Sequence, residues 1–254
     1  MKIHRIVILA AGGVLLWQLV VIATGAPAYI LPGPLPVALA MVNHWPELWH
    51  HLQTTLLEIL AGLAIGTLLG TTCALVMALS PLLKRWLLPV LVVSQAIPVF
   101  ALAPVLVLWL GYGMASKVAM AVLIIFFPVA SSFYHGMRRT DSELLELGRI
   151  MGATRRSLFY YIIIPSALPA FGSGLRVATA VAPIGAVVGE WVGSSSGLGF
   201  YMLHANARMQ IDRMFAALTL LAVASLLLYF VIDTILAKTL YWENQKDLIH
   251  EKAL

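Results

Sequence analysis

At 254 residues, with 61% hydrophobic and only 11% charged side chains and a mean hydropathy of +0.94, the chain is no ordinary soluble domain, in which roughly a quarter of residues are charged. The formal charge of +5 does not point to nucleic acid, because in so apolar a chain Lys and Arg are distributed by loop topology. Its single cysteine, Cys73, excludes an intrachain disulfide.

Six apolar stretches succeed one another, over residues 6–23, 52–79, 86–110, 118–134, 167–190 and 214–237. Each approaches or exceeds the roughly 20 residues that cross about 30 Å of hydrocarbon as a helix. The expected fold is all-α: a polytopic membrane protein of six transmembrane helices. Lys2 and Arg5 precede the first stretch and Ala26-Pro27-Ala28 follows it, as in a signal peptide. The run is longer than a cleavable apolar region, so it is read as a retained span. The loop over 25–51 has five prolines and no Lys or Arg. Within it, 37–45 suits a short interfacial helix with Trp45 and Trp49 at headgroup depth, although an ordered loop packed over the bundle fits as well.

The second stretch aligns Gly62, Gly66 and Gly70 on one helical face, a pattern that lets helices approach closely in lipid. The third contains Pro89, Pro98 and Pro104, so it is expected to kink or break, with Gln95 facing a cavity. Glu190 and Trp191 end the fifth stretch, where they can line or close an external mouth or serve as an interfacial anchor and a structural pair. Glu58 and Arg176 also fall inside apolar stretches, without an identifiable partner. With the N-terminus inside, the cytoplasmic segments hold 12 of the 16 Lys and Arg residues, leaving Lys117, Arg208 and Arg213 outside and Arg176 within a span. Both termini are therefore expected to be cytoplasmic.

Elements of chemistry are missing. The sequence has no Gly-x-x-x-x-Gly-Lys phosphate cradle and no His-Glu-x-x-His. Gly193-Ser194-Ser195-Ser196-Gly197 follows an apolar span, not a strand, and so is not read as a nucleophile elbow. No catalytic residue, metal or cofactor is expected in this chain. The connection between spans four and five is more informative. Asp141 or Ser142 can cap a helix over 143–151, amphipathic through Leu144, Leu145, Leu147 and Ile150. Gly152 is free to leave right-handed geometry, helix resumes over 157–164, and Pro165 limits its continuation.

Within that connection Glu146, Leu147, Gly148, Gly152, Ile162 and Pro165 stand at the spacing E-A-A-x3-G-x9-I-x-L-P. The segment resembles the cytoplasmic coupling loop of binding-protein-dependent ABC importer permeases. Leu147 and Gly148 replace the two alanines, and Ile164 the leucine. The resemblance extends from about Thr54 to Asp233 and includes Gln95-Ala96-Ile97-Pro98, Phe126-Phe127-Pro128 and Gly197-Leu198-Gly199, similar to nitrate/sulfonate/taurine-type permeases. The runs over 181–193 and 202–210 most resemble permeases for hydroxymethylpyrimidine, a thiamine precursor.

The resemblance implies a first helix and external loop (1–51), a core permease domain (52–237, coupling loop at about 138–165) and a cytoplasmic tail (238–254). It further implies a homodimer in a bacterial cytoplasmic membrane, two separate ATP-binding subunits and an external substrate-binding protein. Candidate pathway or gate residues are Gln95, Pro98, Pro183, Glu190 and Trp191. Sulfonate, taurine or nitrate is the alternative cargo. A secondary transporter is the alternative class, opposed by the lack of ion-pair relays or inverted repeats.

Overall fold

The computed structural model describes residues 3–242, and every described element is helical. In chain order these are α1 (Ile3–Thr24), α2 (Pro34–Asn43), α3 (Trp45–Leu79), α4 (Pro81–Ala96), α5 (Val99–Leu110), α6 (Met114–Arg138), α7 (Ser142–Ile150) and α8 (Arg155–Leu158). A π turn (Phe159–Ile163), α9 (Ile164–Gly193), α10 (Leu198–Ala207) and α11 (Ile211–Thr239) complete the chain. Lys2, Lys246, Lys252 and most of the expected tail lie outside the described residues.

The expectation of six spans is not met. Among the described residues four helices are long and apolar enough to cross a membrane: α3, α6, the continuous run Arg155–Gly193, and α11. A fifth is reached only if α4 and α5 are taken as one. The reason lies at Ile97-Pro98. Proline disfavours helical geometry in the residue before it, and Ile97 sits at φ −86, ψ 120. The two helices consequently meet at 103°. Their 16 and 12 residues span about 24 and 18 Å, short of the hydrocarbon core. The first expected span is α1, of which Ala11–Thr24 counts as a shorter apolar helix among the described residues. Its attachment is peripheral: Trp17 stacks on Phe215 and donates from Nε1 to the Pro32 carbonyl at 3.1 Å.

The core is a three-helix arrangement in which α6 is sandwiched between α3 and α9. Ile59 and Leu63 of α3, Ala121, Ile125 and Val129 of α6, and Ala178, Ala182 and Ala186 of α9 form one buried cluster. Small residues set the spacing. A Cβ on Gly66 would stand 2.7 Å from Ile125 Cγ2, and one on Gly185 would stand 2.6 Å from the Ala121 Cα. In lipid such close packing, not exclusion from water, holds helices together. The Gly62, Gly66 and Gly70 face is therefore an intrachain contact with α6.

On the outer side of α3 and α9, helices α2, α10 and α11 form a second cluster through Val37, Leu52, Leu198, Met202 and Ala217. The short helix expected over 37–45 begins earlier, at Pro34, and Trp45 instead opens α3. At 35 residues α3 measures about 52 Å, longer than the hydrocarbon alone.

Candidate functional site

Two regions concentrate the polar sequence features, one at each end of the bundle. At the loop end, the Asp141 side chain accepts the Glu143 N–H at 2.9 Å and starts α7. The helix ends on Gly152 at φ +81. Gly152 N–H donates to the Arg149 carbonyl and Ala153 N–H to that of Gly148, both at 2.9 Å, the paired bonds of a glycine-terminated helix. Thr154 then caps α8, accepting the Ser157 N–H at 3.2 Å.

Gly148 is buried because a Cβ there would meet Leu158 Cδ2 at 2.6 Å and Ile162 Cδ1 at 3.0 Å. That contact fixes one face of α7 against the chain behind it. The apolar residues around it are uncovered: Leu144, Leu147, Ile150 and Met151 are exposed, Ile150 by 84% and Met151 by 78%. Glu146 is exposed on the same helix. Pro165 does not limit the helix as expected. It sits at the start of α9, and the π turn before it, with Ile164 N–H donating to the Phe159 carbonyl, carries helix continuously from Arg155 to Gly193. A widened turn of this kind absorbs the mismatch that proline creates.

At the far end a buried polar cluster joins four helices. Glu190, 1% exposed, accepts a hydrogen bond from Thr55 Oγ1 at 2.6 Å and another from the Gly199 N–H. Thr55 Oγ1 in turn accepts the Leu198 N–H at 2.8 Å, and His51 Nδ1 accepts the Gly197 N–H at 3.0 Å. Gly197 has no capping side chain of its own. The unpaired N–H groups at the start of α10 are therefore satisfied by α3 and α9. Lys117, 1% exposed, donates to the carbonyls of Tyr112, Gly113 and Gly193. This places a cation at the C-terminal end of α9, where the helix dipole favours one. Glu58, also buried, lies beside both Glu190 and Lys117.

The candidate pathway residues separate. Pro183 and Trp191 line one apolar cleft of about 720 Å³ with Met202, Asn206 and Met214, between α9, α10 and α11. Glu190, next to Trp191, points away from that cleft into the buried cluster. Gln95 and Pro98 are exposed at the α4–α5 break. Sequence reasoning missed Thr55, Glu58 and Lys117 as partners of Glu190, and placed Lys117 on the external face. The available signal was the presence of isolated charges in apolar stretches, which must face an interior. Arg176, left without a partner, pairs with Asp233 of α11 at 2.8 Å. Beside the cluster, Glu47, His51, Tyr201, His204 and Arg213 surround a polar pocket of about 250 Å³. Burial pushes the Tyr201 phenol above its ordinary pKa, with the nearby Glu47 charge adding to the shift. Among the described residues no group of three His, Cys, Asp or Glu is placed to hold a metal ion.

Fold and site together define a polytopic α-helical membrane protein whose buried charges tie helix ends together and form no nucleophile–base pair. Residues 66–239 match the family described as the binding-protein-dependent transport system inner membrane component, and the chain belongs to that family. It is similar to a probable ABC transporter permease protein of Haemophilus influenzae, with 53% identity over 243 residues, 95% of this chain and 99% of the relative. The formylaminopyrimidine transport permease protein ThiX of Halalkalibacterium halodurans is 38% identical over 91% of this chain and 92% of its own. The riboflavin transport system permease protein RibX of Chloroflexus aurantiacus is 37% identical over 89% of this chain and 85% of its own. A solved structure of the MetNI methionine ABC transporter in inward-facing conformations matches with a TM-score of 0.66 at 18% identity, over 77% of this chain and 97% of that one. At that identity the likeness concerns the fold. The chain is thus the permease subunit of a binding-protein-dependent ABC transport system, and not the ATPase.

Proposed function

We propose that α7 is the element through which an ATP-binding subunit drives this permease. The supporting observation is its two-sided construction: Gly148 seats it against Leu158 and Ile162, while Leu147, Ile150 and Met151 stand uncovered beside the exposed Glu146. An apolar face that none of the described residues covers suits docking into a partner's groove. Two permease copies, two ATP-binding subunits and an external binding protein make up the complex in this reading. The basic loop end faces the cytoplasm, following the positive-inside bias. Movement of α7 passes through the unbroken helix Arg155–Gly193 to Pro183, Glu190 and Trp191 at the far end, and alternation requires that the two permease states differ in their affinity for the closed ATPase pair. Gln95 and Pro98, at the break between α4 and α5, belong to the pathway as well.

For cargo we infer a pyrimidine-containing solute of the thiamine-precursor type. ThiX at 38% identity carries this inference, and riboflavin, the cargo named for RibX at 37%, also contains a fused pyrimidine ring. Co-expression with a candidate ATPase tests the docking: wild type co-purifies with it, and Glu146→Arg or Gly152→Pro does not. Retention by both variants would remove the coupling role. Cargo is tested separately by ligand binding to the partner binding protein, and tight binding of a sulfonate with none of the pyrimidine would overturn the inference.

A further inference from the structure

At the loop end, a cleft of about 270 Å³ opens between α4, α6 and the π turn. Met77, Phe159 and Ile163 give it an apolar floor, and Lys84 and Arg138 give it a cationic rim with no carboxylate in its lining. Neither cation makes an ion pair among the described residues. Lys84 Nζ lies 5.7 Å from the centre of the Tyr134 ring. Tyr134 is 3% exposed and lines the cleft, and its hydroxyl makes no hydrogen bond within the described residues. Two cations on the rim of one cleft, with a tyrosine hydroxyl among the lining residues and no carboxylate, suit an oxygen-rich anion.

Depth identifies what kind of anion reaches it. Trp45 and Trp49 are exposed at the far end, and Trp86, Tyr160 and Tyr161 at the loop end. Such rings settle at the level of lipid headgroups. From Trp49 to Met77, α3 runs about 42 Å at 1.5 Å per residue, matching a bilayer of about 40–45 Å measured through its headgroups. Leu83, Trp86 and Val90 are exposed on the lipid side of α4, and Leu88, one turn beyond Lys84 on the same face, is half-buried and apolar.

We propose that this cleft binds the phosphate headgroup of an anionic phospholipid, held by Lys84, Arg138 and the Tyr134 hydroxyl, with an acyl chain along α4. Basic pockets between helices at a membrane surface select such headgroups. Because Phe159 and Ile163 belong to the π turn behind α7, a bound headgroup braces the base of the docking loop. The site rests on membrane embedding and is independent of the cargo.

Native mass spectrometry of the purified full-length permease tests it, comparing phosphatidylglycerol with phosphatidylcholine of the same chains. Wild type retains phosphatidylglycerol preferentially, by roughly five-fold for each rim cation engaged. The preference disappears in Lys84→Ala/Arg138→Ala and survives in Lys84→Arg. If the double variant does not survive purification, Arg138→Gln alone must still lower it, since that side chain is exposed. Equal retention of the two lipids by wild type, or a preference unmoved by these variants, overturns the site. A soluble arm separates the sources of phosphate: millimolar glycerol phosphate leaves phosphatidylglycerol bound. Its displacement would overturn the lipid as occupant in favour of a soluble phosphate compound.

Discussion

Replacing Gly197 with alanine drives a methyl group into the Glu190 side chain, because the added Cβ would stand 2.2 Å from its carboxyl carbon. Gly197 also holds φ 110 and ψ 159, a region occupied essentially by glycine alone, which costs another residue about 1–3 kcal/mol. If the backbone holds, Glu190 must withdraw from the start of α10, and each buried N–H left unpaired costs about 1–3 kcal/mol. Together these give a destabilisation of about 2–6 kcal/mol, which lowers Tm by at least about 4 °C for a chain of this size. Thermal unfolding in detergent measures it, with Gly25→Ala as the control. Gly25 is at φ +59 with nothing within 4 Å of the added Cβ, so it bears a milder left-handed backbone penalty and no clash. If Gly197→Ala melts with Gly25→Ala or with wild type, Glu190 does not organise the α10 terminus as described.

Other consequences follow from the same contacts. Glu190→Gln keeps the shape but offers one acceptor oxygen in place of two; transport should fall while co-purification with the ATPase persists, and lost assembly would make the residue purely structural. A double-mutant cycle of Arg176→Ala and Asp233→Ala should give a coupling of about 1 kcal/mol, since the pair is partly exposed and polar contacts between membrane helices are modest. Coupling near zero would mean the pair does not tie α9 to α11. Gly66→Val should cost about 1–3 kcal/mol by overpacking against Ile125, read as a lower Tm; an unchanged Tm would mean that α3 and α6 are looser than their spacing implies.

The loop and the glycine face were legible in the sequence because both depend on local chemistry. Asp141 caps, Gly152 turns, and Gly62, Gly66 and Gly70 share a face by helical periodicity alone. The span count was not legible, because hydropathy sums residues 86–110 without registering that Pro98 forces Ile97 out of the helix and turns the chain by 103°. Pro165 erred the other way: a residue that usually ends helices was accommodated by a π turn. The buried cluster depended on tertiary partners more than 60 residues apart, such as Thr55 with Glu190 and Lys117 with Gly193. Only the oddity of charges in apolar stretches marked it beforehand.

The central claim, that α7 is the face meeting the ATPase, is tested most directly by cysteine crosslinking in a Cys73→Ser background. With single cysteines at Ile150→Cys on the exposed face of α7 and Trp45→Cys at the far end, the assembled complex should crosslink to an ATP-binding subunit carrying cysteines in its surface groove only through residue 150. Crosslinking through residue 45, or none through residue 150 in a complex that transports, would contradict the account.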